Sequence, residues 1–195
     1  MSGRPREFDN DAVIEAAMDV FWSNGYEGAS AQELVEHTGL GRGSLYNAFG
    51  SKLRLYHEAL ARYQEQGFQA QSRILNSPGT VKDRLRALMR WGIETDLDPT
   101  KRRGCMALHA ALERSGKDPK VAQINHDYIT RLEQALCSLF TTGQHNGEIA
   151  VVHEPLVLAR AFLSSYYGLR LLGRSMPERS FLENVMEGTL AAYGA

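Results

Sequence analysis

The chain has 195 residues, 43% hydrophobic and 23% charged, with a net charge of −1. That length buries a proper core in one large domain or two small ones, and the composition is globular rather than disordered. It excludes a transmembrane helix, for want of about 18 consecutive apolar residues, and a disulfide framework, for want of cysteines beyond Cys105 and Cys137.

Helical periodicity runs through nearly the whole sequence, and no segment reads as a sheet-forming strand; Ile149-Ala150-Val151-Val152 is too short. The N-terminal segment Met1–Glu7 is polar and carries Arg4 and Arg6; without the apolar stretch of a secretory signal, a cytoplasmic protein is expected. A first helix is predicted from about Asp11 to Ser23, capped by Asp9 or Asp11 and stopped by Asn24-Gly25. Ser30-Ala31-Gln32-Glu33 is a capping box opening a short helix to Thr38. Gly39-Leu40-Gly41 then turns the chain, and helix resumes from Arg42 to Phe49. Ser51 caps a long helix with Leu53, Tyr56, Leu60 and Tyr63 on one stripe. After the break at Asn76-Ser77-Pro78-Gly79, helices are predicted over 81–95, 104–114, 119–141, 155–172 and 180–193, the last with a capping box at Ser180-Glu183.

Residues 30–49, helix, glycine turn, helix, have the size of a helix-turn-helix, whose second helix enters the DNA major groove. Arg42 suits guanine O6 and N7 or a phosphate, and Gly43 permits close approach. Ser44 and Asn47 are short polar readers, and Tyr46 offers a hydroxyl to a phosphate. Ser30, Gln32 and Lys52 flank the groove, while Leu45, Ala48 and Phe49 face inward. Arg4 and Arg6 are expected to reach phosphates or the minor groove as a basic arm. On the residues alone, a small helical hairpin in a core is an equal alternative. The three glycines Gly39, Gly41 and Gly43 do not form a dinucleotide fingerprint, because no strand precedes them.

The run Gly39-Leu40-Gly41-Arg42-Gly43-Ser44-Leu45-Tyr46-Asn47-Ala48-Phe49-Gly50-Ser51-Lys52 resembles the third helix and the start of the fourth in the TetR family of transcription regulators. Ala17, Phe21, Gly25, Tyr26, Ser30 and Leu34 also stand where that family places similar residues, so the resemblance covers roughly residues 9–60. Gly41 departs from it, where many members carry a capping Ser or Thr. The resemblance implies an all-α fold, with a three-helix DNA-binding domain at 1–50 and a helical ligand-binding and dimerisation domain at 51–195. It further implies a homodimer through residues of about 155–193, a palindromic double-stranded operator and a small-molecule inducer, with no cofactor.

Beyond the motif, Cys105 opens a helix after Lys101-Arg102-Arg103, a setting that lowers a thiol pKa, although a small buried core residue is the more common role. Some TetR-like regulators with a Gly-Cys start at this helix sense oxidants or electrophiles. Cys137 reads as packing. His109 and Glu113 stand one turn apart, but no third metal ligand accompanies them. Trp91, Cys105, His109, Tyr128, Phe162 and Tyr166 are candidates to line an inducer cavity, most of the aromatic residues being core. The alternatives are a TetR-like activator and a helical small-molecule enzyme; against the enzyme, no nucleophile–base pair, metal cluster or cofactor loop is present in the sequence.

Overall fold

The computed structural model describes residues 8–99 and 103–194, so Arg4, Arg6, Lys101 and Arg102 lie outside the described residues. Among the described residues the fold is all-α: α1 (Asn10–Gly28), α2 (Ala31–Thr38), α3 (Arg42–Phe49), α4 (Lys52–Leu75), α5 (Val81–Leu97), α6 (Met106–Arg114), α7 (Pro119–His145), α8 (Pro155–Ser175) and α9 (Arg179–Ala191). None of these helices is long and apolar enough to cross a membrane.

The helix starts follow from side chains that satisfy free N–H groups. Asp9 caps α1, Ser51 caps α4, and Asp118 caps α7, while Ser30 with Glu33 and Thr80 with Asp83 form capping boxes on α2 and α5. Pro119 and Pro155 occupy first-turn positions of α7 and α8, where a missing N–H costs nothing. Two local expectations differ from the structure. The first helix does not stop at Asn24-Gly25 but continues to Gly28 across a kink at Gly25, whose φ is 72° and ψ 179°. Nor does Ser180 cap α9. Glu178 is the N-cap, without a side-chain bond, because Arg179 is drawn to Glu94 of α5 at 2.5 and 2.9 Å and attracts Glu183 at 3.6 Å.

Two apolar cores share the helices α4 and α7. The first joins Val13, Ala17 and Phe21 of α1 to Leu34 of α2, Leu45 and Phe49 of α3, and Leu55, Tyr56, Ala59 and Leu60 of α4, with Met106 and Ala110 of α6 and Val121 of α7 closing it. The second gathers α5, α7, α8 and α9 around Leu85, Leu88, Phe140, Phe162, Tyr166 and Met186, and reaches Leu75 at the far end of α4. At 24 residues, α4 spans about 36 Å and so runs from one core into the other.

The packing of α3 rests on few side chains, so its burial is testable. Leu45 is fully buried, whereas Leu112 on α6 is 77% exposed. Leu45→Ala should lower unfolding stability by about 2–5 kcal/mol, and Leu112→Ala should stay within about 0.5 kcal/mol of wild type. Thermal or urea unfolding of the two variants measures both.

Candidate nucleic-acid interface and ligand core

The α2–α3 unit is built from a cap and a turn. The Ser30 hydroxyl accepts from the Glu33 N–H at 3.1 Å, and the Glu33 carboxylate accepts from the Ser30 N–H at 2.8 Å. The α2 helix ends on Gly39 at φ 67°, a left-handed conformation that glycine enters without Cβ strain, and this turns the chain into α3. Gly41, the residue that departs from the family pattern, is the N-cap of α3 and supplies no side-chain bond.

On this scaffold Arg42, Gly43, Ser44 and Asn47 are exposed, Tyr46 is half-buried, and Leu45 and Phe49 are buried beneath them. Ser30 and Gln32 are exposed along the edge of α2, with the Gln32 amide donating to Glu36 at 2.8 Å. Lys52, half-buried at the start of α4, places its ammonium 4.6 Å from the centre of the Tyr26 ring. Neither α3 nor α4 carries an acid in its first turn. Arg42 opens α3, and Lys52 and Arg54 open α4, so cations sit at the positive ends of two helix dipoles. That arrangement costs roughly 0.3–1 kcal/mol per charge in isolation. An oxyanion between the two helix ends reverses the sign, being attracted by free N–H groups and by the cations together.

The second site lies inside the C-terminal helices. Its polar groups form a line across four helices. The Tyr128 hydroxyl donates to Gln71 at 3.0 Å, and the Gln71 amide donates to the Tyr166 hydroxyl at 3.3 Å. The Arg170 guanidinium reaches the same hydroxyl at 3.3 Å and grips the Asp96 carboxylate at 2.6 and 2.9 Å. Arg170 and Asp96 are both buried, at 3% and 1% side-chain exposure. Burial pushes the hydroxyls of Tyr63, Tyr128 and Tyr166 above the usual phenol range, so they stay neutral.

Cys105, the N-cap of α6, is buried with Ala107 and Tyr128, against Tyr63, Phe68, Leu108 and Tyr167. The Tyr167 hydroxyl is buried without a hydrogen-bond partner among the described residues, the kind of group a bound polar molecule satisfies. Beside the cluster, Asp96, Gly104, Gly173, Arg174 and Pro177 line a cleft of about 280 Å³.

The structure thus brings together Cys105, Tyr128 and Tyr166 among the expected cavity residues, and adds Tyr63, Gln71, Tyr167, Asp96 and Arg170. Gln71 had a legible signal: it lies 7 and 11 residues past Gln64 and Leu60, on the buried stripe of α4. Trp91 is half-buried at the edge, its ring 5.7 Å from the Arg170 guanidinium. His109 is half-buried, its pKa lowered by burial and by Arg174. Phe162 departs from the group: it is fully buried in the second core, stacked on Tyr166 and edge-on to Tyr193. Arg103 does not attend the thiol either. It bonds Asp19 at 2.6 Å and lies 4.2 Å from the Trp22 ring, because α1 offers it both a carboxylate and an aromatic face. Glu113 turns from His109 to α1, where two backbone N–H groups occupy its carboxylate. Cys137 is half-buried on α7, packed against the second core.

Comparison with known proteins agrees with this layout. Residues 13–59 match the family model described as bacterial regulatory proteins, tetR family. The HTH-type transcriptional regulator YezE of Bacillus subtilis (strain 168) is 31% identical over 193 residues, covering 97% of this chain and 98% of that one. The HTH-type transcriptional repressor ComR of Escherichia coli (strain K12) is 46% identical over 61 residues, 31% of this chain and 29% of its own. Among solved structures, a cysteine mutant of the TetR family transcriptional regulator CifR, complexed with a 26-bp double-strand operator DNA, superposes with a TM-score of 0.86 at 30% identity, over 98% of this chain and all of that one. With a full-length relative above 30% identity and the helix-turn-helix model matched over its own motif, the chain belongs to the TetR family of transcriptional regulators.

Proposed function

We propose that the chain is a homodimeric repressor that binds a palindromic operator through α3 and leaves it when a small molecule enters the core around Cys105, Tyr128 and Tyr166. The observation that carries the DNA reading is the pair of helix N-termini with Arg42, Lys52 and Arg54 and no first-turn acid. Such a surface is stabilised by phosphates, and it lies beside the exposed readers Ser44 and Asn47. Ser30, Gln32 and Tyr46 contribute backbone contacts, Gly43 lets the duplex approach, and Arg4 and Arg6 extend the contact as an arm. The operator complex of CifR supports the same use of the motif.

A dimer places two α3 helices on successive major grooves, about 34–36 Å apart or a multiple of that. Its supporting surface is on α8, where Val157, Leu171 and Leu172 are exposed at helical spacing with Ala161, Ser164 and Gly168 between them. An unpartnered apolar stripe flanked by small residues is what an isologous helix–helix interface requires. The inducer is a small molecule whose polar groups meet the Tyr167 hydroxyl and the phenols near it; a thiol-reactive electrophile acts at Cys105.

A gel shift with duplex DNA from around the chain's own gene tests the central reading. Arg42→Ala should cost about 1–3 kcal/mol of specific affinity, and Lys52→Ala should weaken all sequences alike and lower the salt slope by about one. Wild-type affinity in both variants would remove α3 and the start of α4 from the interface. Deleting residues 1–7 should flatten the salt dependence by about one unit for each phosphate contact the arm loses. Limited treatment with a small electrophile, read by mass spectrometry, should modify Cys105 and release the duplex. Release that survives Cys105→Ser, or labelling confined to Cys137, removes the electrophile branch and leaves reversible ligand binding.

A further inference from the structure

The kink in α1 creates a problem that another helix solves. Gly25 leaves the helical region at φ 72°, so the turn after it begins as a new helix would, with free N–H groups at its start. The Gly25 carbonyl accepts from Ala29, as an N-cap carbonyl does, at 3.3 Å. The next two N–H groups along the chain are those of Tyr26 and Glu27. Both donate to one carboxylate, that of Glu113 in the last turn of α6, at 2.9 Å each. A Cβ on residue 25 would stand 3.0 Å from that carboxylate, so the glycine serves the backbone angle and the close approach together. The next residue reinforces the contact. Arg114 pairs with Glu27 at 2.9 Å and lies 4.4 Å from the Tyr26 ring, which also carries the Lys52 ammonium.

The other end of α6 is tied to the same helix. The Trp22 indole donates to the Gly104 carbonyl at 2.7 Å, one residue before Cys105. The α6 helix is thus a rod of nine residues, about 14 Å long, with its first turn in the Cys105–Tyr128 cluster and its last turn on α1.

We propose that Glu113 is a positioning residue for DNA reading: by capping the Tyr26–Gly28 turn from the last turn of α6, it sets the angle at which the α1–α3 unit is held. The proposal rests on the reading of α3 as the DNA-binding helix. The carboxylate is suited to this because two charge-assisted bonds from consecutive N–H groups fix direction as well as distance.

The test uses the full-length dimer and a duplex from upstream of its own gene, footprinted to locate the half-sites. The same duplex is also made with one base pair inserted or removed between them. Glu113→Gln keeps the side-chain volume but replaces one acceptor with an NH2 group facing a backbone N–H; Glu113→Ala removes both acceptors. Glu133→Gln, which unpairs Arg160 of α8, is the charge control. In Glu113→Gln the Tyr26 and Glu27 amides should exchange with solvent faster than in wild type. Affinity for the native spacing should fall roughly tenfold, the size of a typical coupling energy. The altered spacings should lose less, so that the spacing preference shrinks, while Glu133→Gln matches wild type throughout. A uniform loss at every spacing that follows the loss of thermal stability would assign Glu113 a merely structural role and overturn the proposal, as would an unchanged preference in both variants. Wild-type protein that binds none of the duplexes overturns the DNA reading instead, and the positioning role with it.

Discussion

The constraint on which the architecture depends is the double burial of α4. Its first three turns place Leu55, Tyr56, Ala59 and Leu60 in the N-terminal core, and its last turn places Leu75 in the C-terminal one. Between them the same face cannot be purely apolar, because it passes the junction where the polar line of Gln71, Tyr128 and Tyr166 begins. Gln64, buried at the same junction, is met by Asn125 of α7 at 2.5 Å. A helix committed to two cores fixes the distance between them but leaves rotation about its own axis to be settled by other contacts. Those contacts come from α6 and the loop before it: Trp22 to Gly104, Arg103 to Asp19, and Glu113 to the Tyr26–Glu27 backbone. The two domains are therefore joined by the long packed helices α4 and α7 and by a set of short polar bonds, and the two kinds of joint respond differently to strain.

Much of the fold was legible because its signals are local. A capping box, a glycine turn and apolar residues at steps of three and four lie within a few positions of one another, so Ser30, Glu33, Gly39, Leu45 and Phe49 declare their roles in order. The motif from Gly39 to Lys52 is readable for the same reason. What was not legible depends on partners far apart in the chain. Glu113 meets Tyr26 across 87 residues, and Gln71 meets Tyr166 across 95. Sequence spacing gave Glu113 only His109 as a neighbour, and an i, i+4 pair looks alike whether its carboxylate faces a histidine, water or another helix. Phe162 shows the ambiguity from the other side, since an aromatic residue on a buried stripe is equally able to line a cavity or to fill a core. Ser180 failed as a cap because Arg179, one residue earlier, had a stronger attachment to Glu94 on α5.

The overall charge of −1 conceals a division of labour. The acids of α1, Asp11, Glu15 and Asp19, are directed at Arg62, Gln66 and Arg103, and so serve to hold α1 against α4 and the loop before α6. The cations of α3 and of the first turn of α4 are left without such carboxylate partners among the described residues; Lys52 finds only an aromatic ring. Net charge is a poor guide to the surface when acids are spent on internal joints and bases are left at helix ends.

The buried pair of Arg170 and Asp96 has an evolutionary corollary. Losing either partner alone strands a charge in a low-dielectric core, at a typical cost of about 3–5 kcal/mol, whereas replacing both with apolar residues of similar volume is often neutral. Single substitutions therefore meet a fitness valley that the double change avoids. Because Arg170 also anchors the Tyr166 hydroxyl, crossing that valley would rewire the phenol network at the same time. Descendants of this sequence are expected to keep the pair intact or to abandon it whole, and a chain that abandons it inherits a differently wired interior in the same all-helical frame.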